Sequence, residues 1–282
     1  MFDIKSFYEA DSVEDAIAAL TADPQSQVIS GGTDVLIRVR EGKDAGRGLV
    51  SIHNIPELKG VSLEEDGTII IRPATSFSHI TNDPIIKKHL SMLGEAVDQV
   101  GGPQVRNTAT IGGNICNGAT SADSASTMCA LNATVVLKGP EGVREVPVTE
   151  FYTGPGRTVR KQNEVCTAFK ITRENYEGWE GHYIKYGKRR AMEIATLGCA
   201  VRVKLSPDKT VLEDVRLAYG VAAPTPVRCY EAEEALRGKQ VSDATIYDLF
   251  ADKALSQVNP RTSWRASRAI CRWSTIVRLI ST

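Results

Sequence analysis

The sequence lacks the residue patterns that would indicate a metal centre. Its six cysteines are scattered, the closest two being Cys116 and Cys129, so no Cys-x-x-Cys pair presets a zinc or iron–sulfur site. The four histidines are equally dispersed, and no His-Glu-x-x-His pattern occurs. These absences favour separate reduced thiols, and we predict that this chain itself holds no metal.

An excess of one charge and long apolar runs are also missing. The 34 Lys and Arg residues balance 34 Asp and Glu residues, which argues against nucleic acid or an anionic membrane as the main partner. No apolar run reaches the length of a membrane span. The N-terminus, MFDIKSFYEADSVEDAI, is acidic and unlike a signal or transit peptide. We therefore predict a cytoplasmic protein with neither a membrane nor a nucleic-acid partner.

The spacing of apolar residues predicts an α+β chain in two parts. Up to EVCTAFKIT (164–172), short strands mix with helices, including one continuous helix over DPIIKKHLSMLGEAVDQV (83–100). The segment RENYEGWEG (173–181) is polar and contains glycine, which indicates a boundary. Beyond it, strand-like runs are followed by helical ones, so we predict a small antiparallel sheet with helices.

Two Gly-Gly pairs, Gly31-Gly32 and Gly112-Gly113, lie among small polar residues. The second pair is in TATIGGNICNGATSADS (108–124), which has almost no bulky side chains and is predicted as a loop. Glycine lets successive N–H groups turn toward one anion and lets a ligand approach without meeting a Cβ atom. Two such loops with these neighbours suit the two phosphates of a dinucleotide. Tight turns would explain a single Gly-Gly pair, and spacing alone does not decide between the two interpretations. Neither pair fits the Rossmann or P-loop pattern.

The residues around both pairs resemble a known family. VISGGTDVLI (28–37) and GPQVRNTATIGGNICNGATSADS (102–124) are similar to the FAD-binding subunits of the molybdenum hydroxylases. KYGKRRAMEIATLGCA (185–200) and LAYGVAAPTPVRC (217–229) fit the same pattern. The resemblance continues in order and spacing to about residue 268, and it is strongest to subunits of the xanthine dehydrogenase type.

This resemblance implies a fold and a division into domains. We expect residues 1–174 to form an FAD-binding domain of two α+β subdomains, roughly 1–57 and 58–174, with FAD in the cleft between them. This is the fold of the PCMH and CO dehydrogenase flavoprotein type. We expect residues 175–282 to form an α+β C-terminal domain of a small antiparallel sheet with helices.

The resemblance also implies where FAD binds. We expect a first loop, Gln27 to Asp34, on the pyrophosphate side, and a second loop, Thr110 to Asn114. Their backbone amides and the hydroxyls of Thr33 and Thr110 are expected to hold the phosphates. The expected FAD-binding residues are Gln27, Val28, Ile29, Ser30, Gly31, Gly32, Thr33, Asp34, Val100, Ala109, Thr110, Ile111, Gly112, Gly113, Asn114, Asp123, Val165 and Lys185.

Four of these residues lie outside the two loops. Asp123 is expected to contact ribityl or ribose hydroxyls, although an N-cap of the following helix is equally sensible chemistry. Lys185 is expected near the pyrimidine end of the flavin, where a cation stabilises the anionic reduced form; a solvated surface lysine is the alternative. Val100 is expected to pack near the cofactor, and the backbone of Val165 to lie beside the isoalloxazine edge.

The chemistry of the family implies a relay between subunits. A large subunit carries molybdopterin and hydroxylates a purine, hypoxanthine or xanthine; a small subunit carries two [2Fe–2S] clusters; electrons then reach FAD and pass to NAD. This chain would be the flavin subunit of such a heterotrimer, in purine metabolism and salvage. We expect no catalytic acid–base residues in it, because the flavin supplies the reactivity.

Three alternatives remain open. Flavin subunits of carbon monoxide, nicotinate, aldehyde or aromatic acyl-CoA enzymes share these motifs, because the molybdenum subunit sets the substrate. A stand-alone flavin oxidase would need its own substrate pocket. Neither glycine-containing loop has a histidine that could form a covalent link to the flavin. After Ala269 the resemblance ends in ICRWSTIVRLIST. We hypothesise a truncated or frame-altered end there, and a non-catalytic remnant is then the third alternative.

Overall fold

The α+β class predicted from the sequence is confirmed by the arrangement of sheets and helices. The structure, a computed structural model, describes residues 2–189, 191–264 and 266–269. The predicted alteration after residue 269 lies outside them. No helix in these three ranges is long and apolar enough to cross a membrane.

The chain begins with a small parallel sheet. Its elements are β1 (Ile4–Glu9), α1 (Val13–Ala22), β2 (Gln27–Ile29), α2 (Val35–Arg40) and β3 (Arg47–Ser51). The strands are ordered β1-β3-β2, and the two helices supply the crossovers that parallel neighbours need. Ile17 and Leu20 of α1 pack with Val50 of β3. The Gly31-Gly32 pair follows the carboxyl end of β2, the edge at which α/β sheets bind ligands.

A larger antiparallel sheet and a two-stranded ribbon follow. Their strands are β4 (Val61–Leu63), β5 (Ile69–Ile71), β6 (Thr134–Gly139), β7 (Gly142–Pro147), β8 (Tyr152–Gly154), β9 (Arg157–Thr158) and β10 (Val165–Ile171). The sheet has the order β4-β5-β10-β6-β7, and β8 pairs with β9 in the ribbon. The helices that accompany this sheet are α3 (Phe77–Asn82), α4 (Pro84–His89), α5 (Ser91–Asp98), α6 (Pro103–Thr108), α7 (Ile111–Cys116), α8 (Asp123–Ala130) and α9 (Val148–Phe151). Every residue of α8 is buried, as its position between two sheets requires.

Two local predictions for this region are wrong. The single helix predicted over 83–100 is broken at Leu90, whose backbone (φ −133°, ψ 40°) is not helical. The break lets α4 and α5 each direct an apolar face, including Ile86 and Val97, into one core. The loop predicted over 108–124 contains α7, which holds both Gly112 and Gly113. A Cβ on Gly112 would lie 2.8 Å from the Pro73 carbonyl oxygen, so a tertiary contact accounts for this glycine.

The last described part is an antiparallel sheet covered by helices, as predicted. Its elements are β11 (Trp179–Tyr186), β12 (Leu197–Leu205), β13 (Leu212–Gly220), β14 (Val227–Arg228), α10 (Tyr230–Leu236) and α11 (Thr245–Gln257). Ala200 of β12 and Ala218 of β13 belong to the same core as Met128 of α8. Helix α8 therefore joins this sheet to the preceding one. The domain boundaries near 57 and 174 stay predictions.

Candidate functional site

A cleft of about 540 Å³ runs between the first sheet, helices α7 and α8, and the end of β11. Small-molecule sites typically occupy ~300–1,000 Å³. All but three of the predicted FAD-binding residues line it: Gln27, Val28, Ser30, Gly31, Gly32, Thr33, Asp34, Val100, Ala109, Thr110, Gly112, Gly113, Asn114, Asp123 and Lys185. The fold thus brings two segments about 80 residues apart in sequence to one cavity.

The remaining three predicted residues are buried beside the cleft. Ile29, Ile111 and Val165 are at most 7% exposed, and none of them is a lining residue. Each is adjacent in sequence to a lining residue, so only its backbone lies near the cavity. Sequence reasoning missed another part of the lining, including Arg160, Glu164 and the exposed apolar side chains of Met192 and Ile194. No short motif marks these residues.

The first glycine segment presents free donors. In the described part of the chain, the backbone amides of residues 30–34 have no hydrogen-bond partner. Gly32 has φ +71°, a conformation that glycine adopts without strain. A Cβ on Gly31 would overlap the Thr108 carbonyl oxygen and lie 2.8 Å from the carbonyl carbon. Successive unpaired amides beside a cavity form an anion-binding concavity, so this segment can hold a phosphate.

The second glycine segment differs from the expectation. The amides of residues 111–114 donate to Thr75 O, Pro73 O, Thr110 Oγ1 and Thr110 O, at 3.1, 2.8, 3.2 and 3.0 Å. They are therefore satisfied within the protein and are not free phosphate donors. The Thr110 hydroxyl donates to Ser30 Oγ at 3.4 Å, which ties this segment to the first. The segment forms a close-packed wall of the cleft, and its part in binding FAD stays a prediction.

Asp123 and Lys185 form a buried ion pair in the cleft wall, with side chains 5% and 9% exposed. Lys185 Nζ donates to Asp123 Oδ2 at 2.8 Å and to Gln99 O at 2.9 Å, and the Tyr183 hydroxyl donates to Asp123 Oδ1 at 2.6 Å. Burial raises the pKa of Asp123, while Lys185 and Tyr183 oppose that rise. The two alternatives raised for these residues are wrong. The N-cap of α8 is Ala122 and not Asp123, and Lys185 is buried in an ion pair and is not a solvated surface lysine.

A second charged pair lies at the other side of the cleft. Arg38, a lining residue, donates to both carboxylate oxygens of Asp44, at 2.6 and 3.2 Å. This bidentate bond holds the pKa of Asp44 below its ordinary value. Burial raises the pKa of Asp34, and the nearby Arg38 opposes that rise. The wall near the first glycine segment therefore carries a fixed arginine.

Cys116 and Cys166 also line the cleft, and we predict that Cys116 alkylates before the other cysteines of the described ranges. The hydrogen bond from Cys166 lowers the pKa of Cys116, and Arg160 adds to the effect. Burial raises the pKa of three other thiols, Cys129, Cys199 and Cys229, to about 12. Because the thiolate is the reactive form, iodoacetamide at mildly alkaline pH should modify Cys116 ahead of these three. Peptide mapping follows each cysteine separately.

A ligand in the cleft should slow this alkylation. Cys116 is reached from the cavity, whereas the three high-pKa thiols belong to the core. Equal rates at Cys116 and Cys129, or a Cys116 rate that no cleft ligand changes, would contradict the prediction.

Comparison with known proteins decides the family. Residues 2–173 match the FAD binding domain in molybdopterin dehydrogenase, and residues 182–272 match the CO dehydrogenase flavoprotein C-terminal domain. The chain belongs to the FAD-binding subunits of the molybdenum hydroxylases. The family inferred from the motifs is thereby confirmed, and with it FAD as the cofactor.

Individual relatives match most of the chain. This chain is 43% identical over 268 residues to the putative xanthine dehydrogenase FAD-binding subunit of Escherichia coli (strain K12), covering 95% of this chain and 91% of that one. Nicotinate dehydrogenase FAD-subunit of Eubacterium barkeri is 31% identical, over 85% of this chain and 82% of that one. Among solved structures, carbon monoxide dehydrogenase from Hydrogenophaga pseudoflava lacking the Mo-pyranopterin moiety gives a TM-score of 0.93 at 29% identity, covering 100% of this chain and 96% of that one.

The cleft fits the cofactor of this family. The free amides of residues 30–34 offer donors for a pyrophosphate. Added Cβ atoms at Gly31 or Gly112 would clash with backbone, so the close wall depends on glycine. In the described ranges, no three His, Cys, Asp or Glu side chains are grouped to hold a metal ion. The assignment of individual residues to FAD stays a prediction.

Proposed function

We propose that this chain is the flavin subunit of a xanthine dehydrogenase-type enzyme. It would take electrons from [2Fe–2S] clusters on an iron–sulfur subunit and deliver them to NAD while a molybdopterin subunit oxidises hypoxanthine or xanthine. The observation that carries the proposal is the 43% identity over 95% of the chain to a putative xanthine dehydrogenase FAD-binding subunit. We propose a cytoplasmic heterotrimer as its working form.

Within the cleft, the residues divide by chemistry. The free amides of residues 30–34, with the Thr33 hydroxyl, would hold the pyrophosphate, and the Arg38 guanidinium, paired with Asp44, lies in the same wall. The ion pair of Asp123 and Lys185 would face the flavin or ribityl part. Bound FAD supplies the redox chemistry, because a flavin accepts electrons singly and releases a hydride.

The chain's own residues then bind, orient and exclude water. The Thr110–Ser30 hydrogen bond keeps the two glycine segments together. Lys185 presents a buried ammonium, whose charge favours an anionic reduced flavin over a neutral oxidised one. Apolar side chains at Met192 and Ile194 border the cleft. Proton transfer by a protein acid–base pair is not part of this proposal.

The first test is the visible absorption spectrum of the purified chain, with the released chromophore identified by mass. We expect a flavin spectrum and release of FAD. Addition of FAD to stripped protein at 100 times its Kd should stabilise the fold by about 2.7 kcal/mol, measured as a rise in Tm. A colourless chain that takes up no added FAD would overturn the proposal and favour a non-catalytic remnant.

Substrate and acceptor need a second test on the assembled enzyme. The chain is co-purified with its iron–sulfur and molybdenum subunits and assayed with xanthine, nicotinate, carbon monoxide and aldehydes, each with NAD or oxygen as acceptor. We expect xanthine-dependent reduction of NAD. Activity with nicotinate alone would support the alternative that the 31% identity to a nicotinate dehydrogenase subunit raises, and xanthine turnover with oxygen alone would remove NAD from the proposal.

A further inference from the structure

Tyr183 is a buried group that neither the motifs nor the proposed function use. It is 2% exposed, and its hydroxyl donates to Asp123 Oδ1 at 2.6 Å. The opposite oxygen of the same carboxylate accepts from Lys185 Nζ at 2.8 Å. Tyr183 and Lys185 are two residues apart on β11, so they project from the same face of the strand. One carboxylate therefore links the tyrosine to the lysine of the cleft wall.

The neighbouring strand is shaped to admit this hydroxyl. Gly198 of β12 lies directly opposite Lys185 in the antiparallel register. A Cβ at Gly198 would lie 2.6 Å from the Tyr183 hydroxyl oxygen, closer than real Cβ contacts occur, and 3.4 Å from the ring carbon that carries it. Of the three nearest atoms, only the hydroxyl oxygen would be too close to a Cβ atom. The position of this one oxygen therefore explains the glycine at 198.

The ammonium of Lys185 stays in one place only if hydrogen-bond partners hold it there. A lysine side chain has a flexible four-carbon stem and loses conformational entropy when its head is held in one place. Here the head is held by the carboxylate of Asp123 and the carbonyl of Gln99. Lys185 binds only one of the two carboxylate oxygens. The Tyr183 hydroxyl fixes the second oxygen and offsets part of the negative charge of the carboxylate.

We propose that Tyr183 is a positioning residue, which acts through Asp123 to hold the Lys185 ammonium at the cleft wall and so raises the redox potential of bound FAD. This inference rests on the proposed FAD site. Loss of the hydroxyl leaves the Asp123 charge less compensated and the lysine less fixed. Both changes disfavour the anionic reduced flavin relative to the oxidised one.

The test measures the midpoint potential and the Kd of FAD in the full-length chain. We expect Tyr183→Phe to weaken binding of reduced relative to oxidised FAD about tenfold, which is a fall of about 30 mV for a two-electron couple. The matched control is Tyr176→Phe, which removes a hydroxyl that donates to Gly67 O at 2.6 Å, away from the cleft lining. The control should change Tm and leave the potential alone. An unchanged or raised potential in Tyr183→Phe overturns the inference.

Two further variants separate positioning from general structural support. In a Lys185→Met background, Tyr183→Phe should shift the potential less than it does in the wild type, because the part of the effect that acts through the lysine is absent; an equal or larger shift there overturns the inference. Gly198→Ala should lower the Tm and the potential, and adding Tyr183→Phe should restore part of the lost Tm by removing the clashing oxygen. If Tyr183→Phe restores none of the Tm lost in Gly198→Ala, the inference is overturned. Failure of the wild-type chain to bind FAD would instead overturn the proposed function.

Discussion

Replacing Gly31 with alanine is expected to weaken FAD binding by up to about 100-fold. The new Cβ would overlap the Thr108 carbonyl oxygen and lie 3.1 Å from Ala109 Cα. These are backbone atoms with no rotamer to escape into, so the two glycine segments must separate. Overpacking of this kind costs about 1–3 kcal/mol, and about 2.7 kcal/mol corresponds to a 100-fold change in Kd. Titration of stripped protein with FAD, followed by flavin fluorescence, measures the loss.

The matched control for this substitution is Gly94→Ala in helix α5. A Cβ at that position would meet nothing closer than Ile86 Cγ2, at 3.6 Å, which is ordinary van der Waals contact. We expect FAD affinity within about twofold of the wild type, and a gain in helix propensity of up to ~1 kcal/mol. If Gly31→Ala binds FAD as tightly as Gly94→Ala does, the close contact between the two segments is not needed for the site.

Replacing Glu233 with alanine should lower the free energy of unfolding by about 3–5 kcal/mol, the cost of leaving a buried charge without its partner. Glu233 and Arg228 pair with side chains only 5% and 6% exposed. The carboxylate also accepts from the Leu217 amide at 2.8 Å, and the guanidinium donates to Cys129 O at 3.1 Å and Asn132 Oδ1 at 2.6 Å. The pair thus fastens the last sheet to the end of α8.

Urea unfolding of Glu233→Ala beside Glu234→Gln tests this expectation. Glu234 is 71% exposed in its ion pair with Arg237, and exposed pairs contribute at most about 1 kcal/mol. Folded Glu233→Ala should keep its affinity for FAD, because neither residue of the pair lines the cleft. Similar losses of stability in the two variants would show that burial does not decide the strength of the Arg228–Glu233 pair.

Much of the fold class and of the cleft could be predicted, because the informative residues are contiguous. The segment 27–34 contains a strand end, a glycine pair and the start of a helix, and its apolar and glycine pattern is local. Lys185 and Asp123 were placed by resemblance to family motifs, and they meet in one ion pair. Strand positions such as 165–171 also followed from composition. Roles in binding FAD stay predictions until a variant is measured.

The errors have a common physical origin. The break at Leu90 follows from the need of α4 and α5 to reach one core, although the local helical period runs straight through that residue. Helix α7 contains two glycines, whose low helix propensity predicts a loop. It forms because Thr110 caps it and Pro73 packs against Gly112. In each case tertiary packing overrode a local preference.

From sequence alone, the α+β class, the molybdenum hydroxylase family and the FAD cofactor followed, because these depend on periodicity and on motifs read within short windows. The tertiary structure decided which amides remain free, why Gly31 and Gly198 carry no side chain, and how Tyr183 reaches Asp123. These are properties of pairs of atoms brought together from distant segments. A steric clash or a satisfied hydrogen bond exists only once both partners are in place, so no local pattern of residues specifies it.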